Sequence, residues 1–359
     1  MALLAAAAVL LMLAAWQLWP APVASNSATR DSPLAAARAA PLRAKPPSSL
    51  PLELKVPAVP AQAAVWDLCG IGRMPRPAGA AKLNDDGLRE LPPHLGAEPA
   101  AEALFQTAVR MGDGDARSRA AAVLLFGFDA QGQPLPQALE QLAAQNDDAA
   151  ASAWAALRCQ GEAACQSATE RWTLREPGNA AAWLLWLRHH PGRTGDMEQA
   201  LAHATHFDSQ EDALLAATLA AVPPATPAYL EPALWVYAIG VQAALPMTQL
   251  HEAGTFCPLS ALASPARRSA CEQLARVMTA PDGDLVVLWA GARLAERLAW
   301  PAESLQELQQ RLKQAQAPKA GLDPEQPLSC ASVDALRKTL KDRAARSTSR
   351  YSASPPQSR

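Results

Sequence analysis

The sequence predicts an all-α protein, built as stacked helical pairs after an N-terminal membrane helix and a Pro-rich linker. Three observations carry that expectation. Alanine dominates an apolar set that makes up 50% of the 359 residues, and alanine is the strongest helix former because helix formation costs its side chain no rotamer entropy. Val and Ile are sparse and no alternating β-branched run occurs, so strands have little support. Apolar residues instead recur three and four apart, with Asp, Asn, Ser or Thr before each stretch and Gly or Pro after it, the pattern of capped helices.

The first element is residues 2–19, a run of 18 in which only Gln17 is polar. At 1.5 Å per residue a helix of that length covers about 27 Å, enough to cross a bilayer core. Trp16 and Trp19 lie where interfacial Trp anchors such a helix. A signal-anchor over 1–19 is therefore expected. Cleavage at the small-residue site Val23-Ala24-Ser25, giving a secreted protein, is the alternative. No Lys or Arg precedes the run, whereas Arg30 and Arg38 follow it, and charge bias alone would leave the body in the cytoplasm. The cysteines argue the other way. Cys69, Cys159, Cys165, Cys257, Cys271 and Cys330 are even in number and form no C-x-x-C, which fits three disulfides in a periplasm-like compartment better than a zinc ribbon or a thioredoxin motif.

Residues 20–60 carry nine prolines. Proline blocks helix propagation and favours extended chain, so this stretch is a semi-rigid spacer reaching up to ~120 Å at ~3 Å per residue. Residues 346–359 are rich in Ser, Pro and Arg and are expected to be disordered. That leaves 61–345 as the helical-pair domain.

Within it, residues 99–110 carry Leu104, Ala108 and Val109 on one face. Asp115 caps a helix reaching about Phe126, and Gln133, Pro134 and Pro136 open one carrying Leu139 and Leu142. Asp147 or Asp148 caps a helix through Trp154 and Leu157 that ends near Gly161, and 162–175 forms the next. Residues 233–245 hold 13 positions without a charge, too few to span a membrane and suited to a central buried helix. Asp284 caps a helix over 285–300, and Pro301 sits in the first turn of one carrying Leu305, Leu308 and Leu312.

Residues 177–206 carry a family resemblance. PGNAAAWLLWL followed by GDMEQALAHATHF resembles a tetratricopeptide unit. Pro177 and Asn179 stand before the first helix as such units have them. Trp183 matches the large aromatic packed between the paired helices, and Ala200 and Ala204 match the small positions of the second helix. Bulky Trp186 and Leu187 replace the small residue expected a turn after the Trp, and no 34-residue period recurs along the chain. The resemblance implies stacked helix pairs and a protein- or peptide-binding surface.

No catalytic, cofactor or nucleic-acid motif stands out. His251-Glu252 opens like a zincin, but position 255 is Thr. Gly70-Ile71-Gly72 reads as a turn, and Asp113-Gly-Asp115 and Asp282-Gly-Asp284 read as loops ending in helix N-caps. His189, His190, His203 and His206 cluster in the tetratricopeptide-like unit, with His203 and His206 spaced i, i+3 on one helical face. With no Cys at suitable local spacing, capping or exposed roles are expected and no metal. Trp154, Trp172, Trp183, Trp186, Trp235, Trp289 and Trp300 are assigned to core packing between Ala-rich helices, with groove lining as the other use. Glu170, Glu176 and Glu296 lack definable partners, and a formal net charge of −2 gives no pull toward nucleic acid.

The expectation is an envelope protein, membrane-anchored through its N-terminal helix, whose body binds a protein or peptide. An envelope enzyme, such as a cell-wall hydrolase with an acidic residue in a helical cleft, is the alternative, and a buried acid in a deep cleft would separate the two. Six cysteines allow 15 pairings. Helical-hairpin geometry favours Cys159–Cys165, a local staple favours Cys257–Cys271, and Cys69–Cys330 then ties the start of the body to its end.

Overall fold

The computed structural model describes residues 65–75, 91–127, 135–281, 283–316, 321, 323 and 326–352. The expected anchor over 1–19 and spacer over 20–60 lie outside the described residues, and no helix among the described residues is long and apolar enough to cross a membrane. The body is predominantly helical. Its helices are α1 (Ala97–Gly112), α2 (Ala116–Phe126), α3 (Leu135–Gln145), α4 (Ala149–Arg158), α5 (Glu162–Arg175), α6 (Ala180–His189) and α7 (Thr194–Ala202). They continue as α8 (Glu211–Ala221), α9 (Glu231–Ala244), α10 (Met247–Phe256), α11 (Pro265–Met278), α12 (Leu285–Arg297), α13 (Ala302–Gln316) and α14 (Cys330–Ser352).

Local chemistry starts these helices where the sequence suggests. Asp115, Asp148, Asn179 and Asp284 each accept a first-turn backbone N–H, from Ser118, Ala151, Ala181 and Val286, at 2.8, 2.8, 3.0 and 2.8 Å. Each contact satisfies one of the donors that a helix start leaves orphaned. Gly127 closes α2 with φ +83°, a conformation that costs glycine nothing.

Consecutive helices pack on one another from α1 to α7, and α2 meets α4, α3 meets α5 and α4 meets α6. The chain then returns: α10 lies on α6 and α11 on α7, while α8 contacts α1, α2, α9 and α14. One core runs through α1–α12, with Trp154, Trp172, Leu184, Met197, Leu201 and Leu274 sealed inside it among many alanines. Small alanines let helix backbones approach, and the large rings fill the space left between them. The helices approach closely at Gly291 of α12, where an added Cβ would stand 2.8 Å from the Met278 Cβ of α11.

A second core gathers Trp66, Leu68, Leu230, Trp235 and Val333. It contains the departure from the all-helical expectation: β1 (Val65–Leu68) pairs antiparallel with β2 (Gly72–Pro75). Trp66 and Leu68 face inward at alternate positions, so a four-residue strand has its period-2 pattern without any long β-branched run. Gly70 (φ +89°) and Gly72 (φ +99°) shape the connecting turn. The hairpin is tied to the approach of α14: Cys69 N–H donates to Leu328 O (2.9 Å), and the Gln326 amide accepts from Asp67 N–H and donates to Val65 O at 3.0 and 2.9 Å.

Two further expectations need correction. The sequence leads to a disordered tail over 346–359, but α14 continues to Ser352. Ala344, Ala345 and Arg346 favour helix, and the next proline is Pro355. His203 and His206 do not share a helical face. α7 stops at Ala202, and Gly178 O draws off the Thr205 and His206 N–H groups at 2.9 and 3.3 Å, which puts this stretch in extended contact with the start of α6.

Candidate functional site

The unit formed by α5, α6 and α7 combines a buried polar knot with a partly exposed aromatic cluster. The knot starts at Glu176, just past α5. Its carboxylate accepts from Trp172 Nε1 (2.6 Å), Asn179 Nδ2 (3.0 Å) and Gln210 Nε2 (3.0 and 2.9 Å). Asn179 also donates to Asp208 O at 2.8 Å and accepts from Asp208 N–H at 3.0 Å. Gln210 sits at φ +63°, a strained conformation for a residue with a Cβ, and is held there by Glu176 and by Asp208 Oδ1, which accepts its N–H at 2.7 Å. The knot thus joins the end of α5, the start of α6 and the start of α8. Burial pushes the Glu176 carboxyl up to about 7, against the pull of its donors.

On the outer side lies a shallow depression of about 270 Å³ lined by Glu170, Thr173, Leu174, Trp183, Trp186, Arg193 and Asp196. Trp186 is its floor. The His190 ring stacks on Trp186 with centroids 4.3 Å apart, Trp183 meets it edge-on at 5.4 Å, and the Arg193 guanidinium lies 5.2 Å from its centroid. Each ring is held from behind. Trp183 Nε1 donates to Pro177 O at 2.8 Å, and the two His190 nitrogens lie 2.8 Å from Trp186 O and 3.2 Å from Glu170 Oε1. Leu174 is 81% exposed at the edge, a large apolar side chain with most of its surface in water. The rim alternates charge, Glu170 and Asp196 against Arg193. This arrangement can take an apolar or aromatic side chain against Trp183 and Leu174.

The sequence-assigned tryptophans divide accordingly. Trp154, Trp172 and Trp235 are fully buried, Trp183 and Trp186 form the aromatic face, and Trp289 lies under Arg293 in a second shallow depression between α12 and α13. Of the three acids without evident partners, Glu170 joins the aromatic face, Glu176 forms the knot and Glu296 pairs with Arg293. Glu176 lines neither of these two depressions. His206 contacts Thr205, and the incomplete zincin stretch at His251 lies on α10 with Glu252 near Arg188.

The six cysteines meet as Cys159–Cys165, Cys257–Cys271 and Cys69–Cys330, with Cα separations of 5.1, 6.0 and 4.5 Å. Sequence reasoning missed what lies beside the first pair. The ligand atoms of Cys159, Cys165 and His189 all fall within 4.8 Å of one another, and His189 Nδ1 is 3.9 Å from Glu162 Oε2. Packing of α6 on α5 brings His189 there, and no local spacing signals it. Burial lowers the His189 pKa. A second buried centre also went unseen: Arg343 of α14 reaches Asp212 and Glu211 of α8 and Asp284 at the start of α12.

No protein-family model, curated protein or solved structure matches this chain.

Proposed function

We propose that this chain is an exported, membrane-anchored binding module that takes a protein or peptide segment on the α5–α7 face. The observation that carries this is the partly exposed Trp183 ring, seated on buried Trp186 and flanked by exposed Leu174. Preorganised aromatic surfaces bind with little ordering cost, and tryptophan and arginine are the residues most enriched at binding hot spots. The run of helices that touch their first and second neighbours supports reading α1–α7 as stacked pairs of the tetratricopeptide type. The three cysteine pairs and the apolar run over 2–19 support export and anchoring.

The hydrolase alternative finds its best acid in Glu176, whose carboxyl is pushed into the range useful for proton transfer. Its oxygens already accept from Trp172, Asn179 and Gln210, which favours a structural role. The test is in-cell photocrosslinking. A photoreactive residue at Leu174 should give a discrete adduct that Trp183→Ala abolishes. One at Leu259, exposed elsewhere, should give none. Equal labelling from both positions, or an adduct unaffected by Trp183→Ala, would refute the assignment.

A further inference from the structure

We propose that, when the Cys159–Cys165 disulfide is reduced, Cys159, Cys165 and His189 bind one zinc ion, with a solvent water as the fourth ligand. Among the described residues this is the only place where three or more Cys, His, Asp or Glu side chains bring ligand atoms together, all within 4.8 Å. A tetrahedral zinc ion with bonds of roughly 2.0–2.3 Å holds its ligand atoms on the order of 3.3–3.8 Å apart, a spacing this cluster reaches by side-chain rotation once the sulfurs part. Two thiolates and an imidazole are a donor set that zinc favours.

The surroundings hold the donors in place. Cys165 lies in the first turns of α5, where unpaired backbone N–H groups favour a thiolate. Gln166 Nε2 donates to Glu162 Oε1 at 3.1 Å and to His189 O at 3.2 Å, bracing the carboxylate and the histidine against each other. Glu162 Oε2 stands 3.9 Å from His189 Nδ1, where it can orient the ring. Glu162 is largely exposed, which leaves a path for the ion from solvent.

The chemistry balances. A dithiol reductant gives two electrons and two protons to the Cys159–Cys165 bond and leaves as its own disulfide. Zinc then displaces the two thiol protons to solvent. The α4–α5 hairpin is thereby closed by a disulfide when oxidised and by a metal when reduced. This inference stands apart from the binding face and from export.

The test uses the full chain in detergent, reduced with a dithiol and exchanged anaerobically into reductant-free buffer. Cobalt(II) should bind at one equivalent with thiolate charge-transfer and tetrahedral d–d bands, and zinc should displace it. His189→Ala should weaken binding at least about tenfold at unchanged helicity. Cys257→Ser/Cys271→Ser should bind like the parent, and the oxidised chain should not bind. Bands of equal strength in His189→Ala, or equal binding by the oxidised chain, would overturn the proposal. So would loss of the bands in a folded Cys257→Ser/Cys271→Ser variant.

Discussion

Glu176 and Glu211 are both buried acids, and the two regions around them are held together in different ways. Around Glu176 every partner is a neutral donor: an indole and two amides, all drawn from residues 172–210. Around Glu211, Asp212 and Asp284 the partner is the Arg343 guanidinium of α14, 131 residues from Asp212 and 59 from Asp284. A shell of neutral donors holds the carboxylate by several separate hydrogen bonds, none of them carrying a charge. An ionic cluster depends on its cation, because removing Arg343 leaves several carboxylates out of water together. Burial works against the Arg343 charge, yet Asp212, Glu211 and Asp284 outweigh it and raise its pKa. The local unit is therefore a self-contained knot, while the closure of the body rests on a few long-range links.

The covalent link should matter most. The Cys69–Cys330 bond closes 261 residues of sequence, and in the chain-entropy model such a loop contributes about 5 kcal/mol. Replacing both cysteines by Ser should lower denaturant stability by that order. The Cys159–Cys165 replacement should cost only about 2 kcal/mol, because its loop is short. Equal losses would show that loop length does not set the ranking.

Arg343→Met comes next. It removes the cation and keeps the apolar stem, so the loss should be about 3–5 kcal/mol by denaturant unfolding. A loss under about 1 kcal/mol would mean that Arg343 acts as a solvated surface pair.

The Glu176 knot should show itself through pH. Its carboxyl is pushed up to about 7, above the ordinary 4.5 of the unfolded chain, so the folded body prefers the protonated acid. That contribution is fully present below pH 4.5 and is lost as pH rises to 7. The limit is on the order of 3 kcal/mol. Burial raises Glu211 as well, in the same direction. Thermal midpoints should therefore fall between pH 5 and pH 8, and Glu176→Gln should flatten that fall while lowering stability throughout, since its amide hydrogens meet other donors. An unchanged pH slope in the variant would place the titration elsewhere.

The smallest stability effect belongs to the aromatic face. Trp183→Ala should cost about 1–2 kcal/mol, below a fully buried Trp, because the ring is half-exposed. It should still abolish the Leu174 crosslink. A larger loss would make Trp183 a core residue and weaken its assignment to binding.

The sequence shows this molecule's local features and hides its long-range ones. Asp115, Asp148 and Asp284 mark helix starts because a cap is a contact across two or three residues. The 177–206 stretch is recognisable because Asn179, Trp183 and the alanines follow one helix pair. The β1–β2 hairpin escapes because four residues per strand are too few to show alternation. Arg343 and His189 escape for another reason: each acts on residues far away in sequence, and only the packing of α14 on α8 and of α6 on α5 brings them there.

Export and closure together are tested most directly by non-reducing peptide mapping of the chain taken from its native cells with thiols blocked at lysis. The prediction is three linked peptide pairs, Cys69–Cys330, Cys159–Cys165 and Cys257–Cys271, with no blocked cysteine. Six blocked thiols would place the body in a reducing compartment and contradict export, and a Cys159–Cys257 link would contradict the fold of the α4–α5 hairpin.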